Sequence, residues 1–303
     1  MTAAMQGHPE DQYIRLLGKI VAHGERRETR NSVTFSLFGE RLEFDVAAHG
    51  FPLLTTKRVF WRGIVEELLW FLRGDTDAKK LSDRGVHIWD GNTTRAFLDS
   101  RGLAHYREGE CGPIYGWQWR RFGAAYPSGQ GGVDQLRDLL EQLVCDPMSR
   151  RMIVSGWNPK QHAEMCLPAC HTLYQFYLDA RGLSCQLYAR SQDVACGTPY
   201  NIASTALWTS ILAHILGVPV SRIILVSGDT HLYEPHLDGV REQVQRAPRP
   251  FPQLRILRPR PFASLGPDTP ILALIEWIES LKFEDFEMVG YDPHPAIKYQ
   301  MVA

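Results

Sequence analysis

LPACHTLYQFYLDARGLSCQLYARSQD, residues 167–193, contains two runs, HTLYQFYLDA and LSCQLYARS, in which apolar and aromatic residues alternate with polar ones. Period-two alternation marks strands with one buried face, and the junction at Ala180-Arg181-Gly182 makes the two runs an antiparallel hairpin. The chain is therefore expected to be built around a sheet. Cys170 and His171 stand at the entrance of the hairpin; Arg190, Ser191 and Asp193 stand at its exit.

On either side of the hairpin the pattern changes. A first helix is expected over 9–23, then a polar loop, GERRETRNS, and a second hairpin, VTFSLFGERLEFDV, with Gly39 in its turn. VFWRGIVEELLWFLRGDT places apolar residues at helical spacing and reads as a buried helix stopped by Gly74. Glu66 and Glu67 cannot share a face of that helix, and Glu66 is expected to face solvent. The stretch 85–132 is expected to be rich in loops. Beyond it, GVDQLRDLLEQLVCD reads as an amphipathic helix and MIVSGWNP as a strand. After the central hairpin come a long apolar helix, NIASTALWTSILAHILG, a strand, RIILVSGDTHLY, and a late helix, TPILALIEWIESL. No repeat, low-complexity tract or linker interrupts the order, which predicts one α+β domain spanning 1–303.

Composition narrows the function. A chain of 303 residues with 44% hydrophobic and 22% charged residues buries a sizeable core. Its net charge of −1 supplies no field for gripping a polyanion, so any anion is held by local arginines, and DNA is not an expected partner. Six cysteines without paired CxxC spacing predict reduced thiols and a cytoplasmic setting. No metal is expected, and a zinc site at Cys166, Cys170 and His171 is disfavoured. The amino-terminal stretch lacks the apolar run of a signal peptide, and no segment is long and apolar enough to predict a membrane span.

Cys170 is either a reactive thiolate or a small apolar residue filling a strand. A nucleophilic thiol needs positive surroundings. Arg150-Arg151 and Arg190-Ser191 supply them, and a guanidinium beside a hydroxyl suits a phosphate monoester. In CGTPYNIAS, Gly197 and Pro199 are expected to form a tight loop that delivers Asn201 at the start of a helix. Asn201 there is either an N-cap or an amide that reads the O4 and N3–H edge of a uracil. GDTHLY places Asp229, His231 and Tyr233 in alternation, so that His231 and Tyr233 share a side.

FPLLTTKR, EELLWFLRGDT, GPIYGWQWR, SRRMIVSGWNP, LPACH, QFY, LSCQLYARSQD, GTPYNIAS, GDTHLY and FEDFEMVGYDPHPAIK, in this order and spacing, resemble the thymidylate synthase family over nearly the whole chain. The resemblance implies a three-layer α/β sandwich with a twisted mixed sheet, and a homodimer packed through the sheets. It implies addition of Cys170 to C6 of a pyrimidine nucleoside monophosphate, and C5 methylation with 5,10-methylenetetrahydrofolate as donor of carbon and hydride.

By the same resemblance, Arg190 and Ser191 bind phosphate, while Arg150 and Arg151 reach in from the other subunit. Glu67 organises water and moves protons, with Tyr115 near the C5 proton and His171 in a hydrogen-bond network. Asn201 reads the pyrimidine, His231 and Tyr233 meet the sugar 3′-hydroxyl, and Asp229 belongs to the same catalytic set. Asp193 accepts from the pterin, and Trp89, Leu167, Gly197 and Tyr200 wall it. Lys57 meets the glutamate tail, and the carboxyl-terminal segment ending in Ala303 closes over the site. Arg30 is the least secure of the phosphate binders, because the family's R-T-G loop reads Thr29-Arg30-Asn31-Ser32 and is one residue shorter.

Other positions depart from the family as well. Its D-x-F-L-G is Asp193-Val194-Ala195-Cys196-Gly197, its P-F-N has Tyr200, its I-A-S-Y ends in Thr205, and its glutamine before R-S is Ala189. Ala195 and Thr205 are expected to widen the nucleotide pocket enough to tolerate the 2′-hydroxyl of UMP. Two alternatives stand beside methylation: a pyrimidine nucleotide C5-hydroxymethylase acting on dUMP, CMP or dCMP, and an inactive nucleotide- or RNA-binding paralogue. Asn201 favours uracil over cytosine, Trp89 favours the methyl product, and intact Cys170, Glu67 and Asn201 favour an active enzyme.

Overall fold

The computed structural model describes residues 7–300 and residue 302, so the expectation for Ala303 lies outside the described residues. The architecture is mixed α/β. Six strands, β1 (Glu25–Glu28), β2 (Val33–Asp45), β3 (Ile153–Ser155), β4 (His171–Asp179), β5 (Gly182–Asp193) and β6 (Val220–Tyr233), form one sheet in the order β1-β2-β6-β5-β4-β3. β4 and β5 are the expected hairpin, closed at Asp179 opposite Gly182. β5 and β6 run parallel, whereas the other neighbours are antiparallel. A parallel pair needs a crossover connection, and helix Gly197–Leu216 supplies it. That helix is apolar around its circumference and is buried on all faces, as a helix through the core must be. A second ribbon pairs β7 (Gln253–Ile256) with β8 (Phe286–Val289).

Gly39 is not a hairpin turn. β2 runs straight through it, with Phe38 opposite Asp229 and Glu40 opposite Ser227, which sets Gly39 against Gly228 of β6. Gly39 has φ +82°, open to glycine at little cost, and the strand kinks there without losing register. Gly228 has a different reason: a Cβ on it would lie 2.9 Å from the Arg190 carbonyl oxygen. The actual turn precedes β2, at Thr29–Ser32, where the Thr29 N–H donates to the Ser32 carbonyl over 3.1 Å. Half of the expected arginine-rich loop is therefore strand β1.

The first helix starts at Asp11 rather than at residue 9. The residue before it, Glu10, is fully buried and accepts hydrogen bonds from the backbone and hydroxyl groups of both Thr55 and Thr56. Helix Trp61–Leu72 is buried as expected, and Gly74 follows its end with φ +69°. Glu66 does not face solvent. It is 3% exposed, with Arg84 at 2.7 Å and Arg62 at 3.8 Å from its carboxylate. Within the stretch expected to be loop lies helix Tyr115–Arg121, whose Trp119 stacks on Trp208 at 4.4 Å between ring centres.

Candidate functional site

Cys170 ends the loop that feeds β4, and its backbone N–H donates to the Tyr115 hydroxyl over 2.8 Å. The Tyr115 oxygen is thus already an acceptor, which frees its own proton for another partner. Across the hairpin, Arg190 clasps the loop. Its Nε and Nη2 donate to the carbonyls of Ala169 and Pro168 over 2.8 and 2.9 Å, and Nη2 lies 3.9 Å from the Cys170 sulfur. The guanidinium also sits 5.4 Å from the ring centre of Trp157. Cys170 thus sits half-buried beside a fixed guanidinium.

Behind the thiol runs a polar chain. The Tyr174 hydroxyl lies 3.0 Å from His171 Nδ1, Asn201 hydrogen-bonds the same imidazole, and the Asn201 amide donates to Gln192 over 3.2 Å. Gln192 in turn donates to Thr198 over 2.9 Å. Burial pulls His171 down to about 4, with Asn201 opposing it, so the ring is neutral at physiological pH. Asn201 sits in the second turn of helix Gly197–Leu216 and is not an N-cap, and Gly197 and Pro199 form the helix's first turn rather than a loop before it. Gln192 aims the Asn201 amide, a role that the motif R-S-x-D left blank.

Glu67 accepts from the Trp89 indole N–H over 2.8 Å, and Trp89 packs against Phe71 and Tyr115. Burial raises the Glu67 carboxyl to about 7, and the Trp89 hydrogen bond offsets only part of that rise. Two opposed pH effects on stability follow. Glu67 stabilises the fold below its unfolded value of about 4.5, and that contribution is lost as pH rises through about 7. His171 stabilises above its unfolded value of about 6.5, and its contribution is lost as pH falls toward about 4. The two windows overlap between about 4.5 and 6.5 and cancel there, so wild-type urea midpoints should stay nearly flat across that range. Glu67→Gln should unmask a rise in midpoint from about pH 4 to about 6.5, and His171→Asn a fall from about 4.5 to about 7; a flat profile in both variants would place the titrations elsewhere.

At the carboxyl end of β6, Asp229 lies 3.0 Å from His231 Nδ1, accepts from Ser36 over 3.0 Å and pairs with Arg27 at 2.7 Å. Its carboxyl is held below the usual range, first by His231 and then by Ser36, against the effect of burial. His231 meets the Tyr233 ring edge to face at 5.0 Å, so these two do share a side. Asp229 makes no contact with Cys170. It fixes the orientation of His231 instead. Burial raises the Tyr233 phenol, and Asn31 and Arg30 beside it oppose the rise. Arg30 is exposed at the β1–β2 turn, and Ser191 is half-buried opposite Asp229.

Asp193 accepts from the backbone N–H groups of Ala195 and Cys196 over 3.0 and 3.1 Å. Trp89, Leu167, Gly197 and Tyr200 keep some exposure. Aromatic faces beside a carboxylate acceptor fit a flat pterin with N–H donors. Lys57 is 5% exposed, donates to the Ala195 carbonyl over 2.5 Å and lies 4.4 Å from the Tyr299 ring centre. Burial lowers its ammonium to about 8.

The expected widening of the nucleotide pocket also fails. Ala195 is fully buried beneath Lys57, and Thr205 is buried with its hydroxyl on the Asn201 carbonyl at 2.7 Å. Trp208, packed on Trp119, Tyr174 and Phe176, occupies the neighbouring core. These replacements are repacking, and Ala189 merely borders a small void beside Leu16 and Thr198. Arg150 and Arg151 are exposed, and neither side chain forms a hydrogen bond or ion pair with the rest of the chain among the described residues. The fold does not bring them to Cys170 within one chain.

Comparison with known proteins agrees with this geometry. A family model described as thymidylate synthase matches residues 11–303. The thymidylate synthase of Equine herpesvirus 2 is 47% identical, covering 98% of this chain and 99% of that protein. The human thymidylate synthase is 46% identical, over 97% of this chain and 91% of its own length. The bifunctional dihydrofolate reductase-thymidylate synthase of Zea mays is 44% identical over 97% of this chain, a match spanning 54% of the maize protein.

Proposed function

Because the chain belongs to the thymidylate synthase family, we propose that it converts dUMP to dTMP by reductive C5 methylation, as one catalytic unit spanning 1–303 in a homodimer with shared active sites. It is a methyltransferase acting on a pyrimidine nucleotide. The observation that carries the proposal is the joint placement of Cys170 under Arg190 and of Asn201 on the His171–Gln192 chain. One cluster thus offers a nucleophile, a phosphate-binding cation and an amide that can pair with the uracil edge.

C5 of uracil is a poor nucleophile until addition at C6 breaks the ring's conjugation. The Cys170 thiolate adds there and can later leave. Asn201 donates and accepts at O4 and N3–H, and the neutral His171 holds the amide without competing for the proton. Glu67, raised to about 7, exchanges a proton with O4 through water, and the Tyr115 oxygen near C5 guides the proton that C5 loses, once the new carbon–carbon bond has formed, to water. Arg190 and Ser191, joined by Arg150 and Arg151 of the partner subunit, hold the phosphate. His231, aligned by Asp229, and Tyr233 hold the 3′-hydroxyl. When bound, 5,10-methylenetetrahydrofolate supplies the one-carbon unit and the hydride, between Trp89, Leu167 and Tyr200 with Asp193 as acceptor.

The exposed side chains of Tyr177 on β4 and Tyr188 on β5 support pairing through this face of the sheet. No helix among the described residues is long and apolar enough to cross a membrane, and we place the protein in the cytoplasm, without a DNA partner. Incubation with dUMP and 5,10-methylenetetrahydrofolate should yield dTMP and dihydrofolate in equal amounts. Tetrahydrofolate formed together with a hydroxymethyl nucleotide would replace the proposal with the hydroxymethylase alternative.

A further inference from the structure

Where β5 hands the chain to helix Gly197–Leu216, three potential ligands converge that the proposed chemistry does not use together. Asp193 ends β5, Cys196 precedes the helix, and His236 closes the short turn Glu234–His236. One ligand atom from each lies within 4.8 Å of the others. The Cys196 sulfur is 4.0 Å from His236 Nε2, and Asp193 Oδ1 is 3.8 Å from His236 Nδ1.

The imidazole decides what this cluster can be. The His236 side chain is fully buried, and its Nε2 lies 2.7 Å from the Gln300 carbonyl oxygen. A carbonyl only accepts, so Nε2 carries the ring proton and Nδ1 presents a bare lone pair. Nδ1 has no hydrogen-bond partner among the described residues, and it faces the Asp193 carboxylate, a second acceptor, beyond hydrogen-bond distance. Two facing acceptors, with a thiol 4.0 Å from the other nitrogen of the same ring, make a donor set for a cation once the sulfur swings toward Nδ1. Cys196 completes it, at a position where the family pattern has leucine.

We propose that Asp193, Cys196 and His236 Nδ1 form a three-ligand site for a borderline-soft divalent cation of the Zn²⁺ class, with water in the fourth position. Carboxylate, thiolate and neutral imidazole are all accepted by such ions. Tetrahedral coordination at about 2.0–2.3 Å requires the ligand atoms to close to about 3.5 Å from one another. Rotation of the Cys196 side chain supplies most of that contraction, because Asp193 can turn only by giving up its hydrogen bonds from the Ala195 and Cys196 N–H groups. The two anionic ligands cancel the charge of the dication, which suits a buried site. Burial pushes the Cys196 thiol up to about 12, with Asp193 adding to the rise and Lys57 opposing it. The thiol therefore keeps its proton until a metal displaces it, and each cation bound at neutral pH releases one proton to solvent. Because Asp193 is also the acceptor assigned to the pterin, occupancy of this site competes with the folate. That consequence rests on the proposed function, whereas the cation site does not.

Co²⁺ alone, titrated into the metal-free full-length Cys170→Ser protein, tests the site without interference from the other half-buried thiol. One Co²⁺ per chain should bind with a thiolate-to-metal charge-transfer band, tetrahedral d–d absorption and release of one proton. Adding Cys196→Leu, which restores the family's residue, should abolish the thiolate band. It should also weaken binding by more than about 100-fold, since even losing an outer partner of a metal ligand costs about 10–100-fold. No thiolate band in the parent protein, or the same band and affinity in Cys196→Leu, would overturn the site. Saturating dUMP with 5,10-methylenetetrahydrofolate should displace the Co²⁺ from wild-type protein; retention of the metal would refute the competition at Asp193 and leave the cation site intact.

Discussion

Cys170→Ser should fold with the wild-type thermal midpoint and lose C5 methylation by at least about 10³-fold. The geometry leaves no substitute nucleophile. Among the other cysteines, Cys111, Cys166 and Cys185 are buried in the core, Cys145 is exposed on helix Gln135–Cys145, and Cys196 belongs to a separate cluster. A serine hydroxyl in the place of Cys170 meets the same Arg190 and the same Tyr115. Its proton is held far more tightly than a thiol's, so the fraction present as attacking anion at neutral pH is negligible. Arg190 keeps its place in this variant, so on the proposed function dUMP affinity should survive. Loss of dUMP binding together with activity would show that the thiol's role is structural, and comparable loss in Cys145→Ser would show that the nucleophile is misassigned.

Arg151→Glu is expected to abolish activity almost as completely, although the residue touches nothing at the site of its own chain. Its effect should appear in the partner's site, by placing a carboxylate against the substrate phosphate. Mixing Cys170→Ser and Arg151→Glu chains, each inactive, should then restore about a quarter of wild-type activity after random subunit exchange: half the dimers are mixed, and each of those has one site with both lesions and one with neither. No recovery after verified exchange would rule out shared sites.

Much of this site was legible because its residues lie in runs with strong local signals. The β4–β5 hairpin announces itself by alternation, since one of its faces is buried, and GDTHLY does the same at the end of β6. Glu66 was misjudged because what buries it, Arg84, lies eighteen residues away in an irregular stretch, and periodicity carries no trace of such a pair. Gly39 was read as a turn because a glycine before charged residues usually is one. What keeps the strand going is the pairing of Phe38 and Glu40 with Asp229 and Ser227 of β6, a distant segment. Helix Tyr115–Arg121 leaves no periodic signal, since seven residues with a glycine among them give too short a window for a helical period. Asn201 was set at the helix start because Cys196, the true boundary residue, offers no side-chain cap. The role proposed for Arg150 and Arg151 comes from the resemblance alone, because a contribution from a second copy leaves no pattern within one chain.

The pairing of β2 with β6 also fixes a schedule. Thr34 finds its partner in Tyr233 and Asp45 finds its own in Arg222, so a long strand made early waits for the one made last in the sheet. At about 5–20 residues per second, β2 leaves the ribosome roughly 10–40 s before β6 exists. Throughout that interval its backbone amides and the apolar side chains of Phe35, Leu37, Leu42 and Phe44 lack their native cover, the arrangement that invites pairing with a neighbouring nascent chain. Production of this protein is thus governed by how well the cell shields one early strand. Slowing initiation, or supplying a chaperone that binds extended apolar segments, should raise the soluble yield, whereas slowing elongation between residues 46 and 219 should lower it.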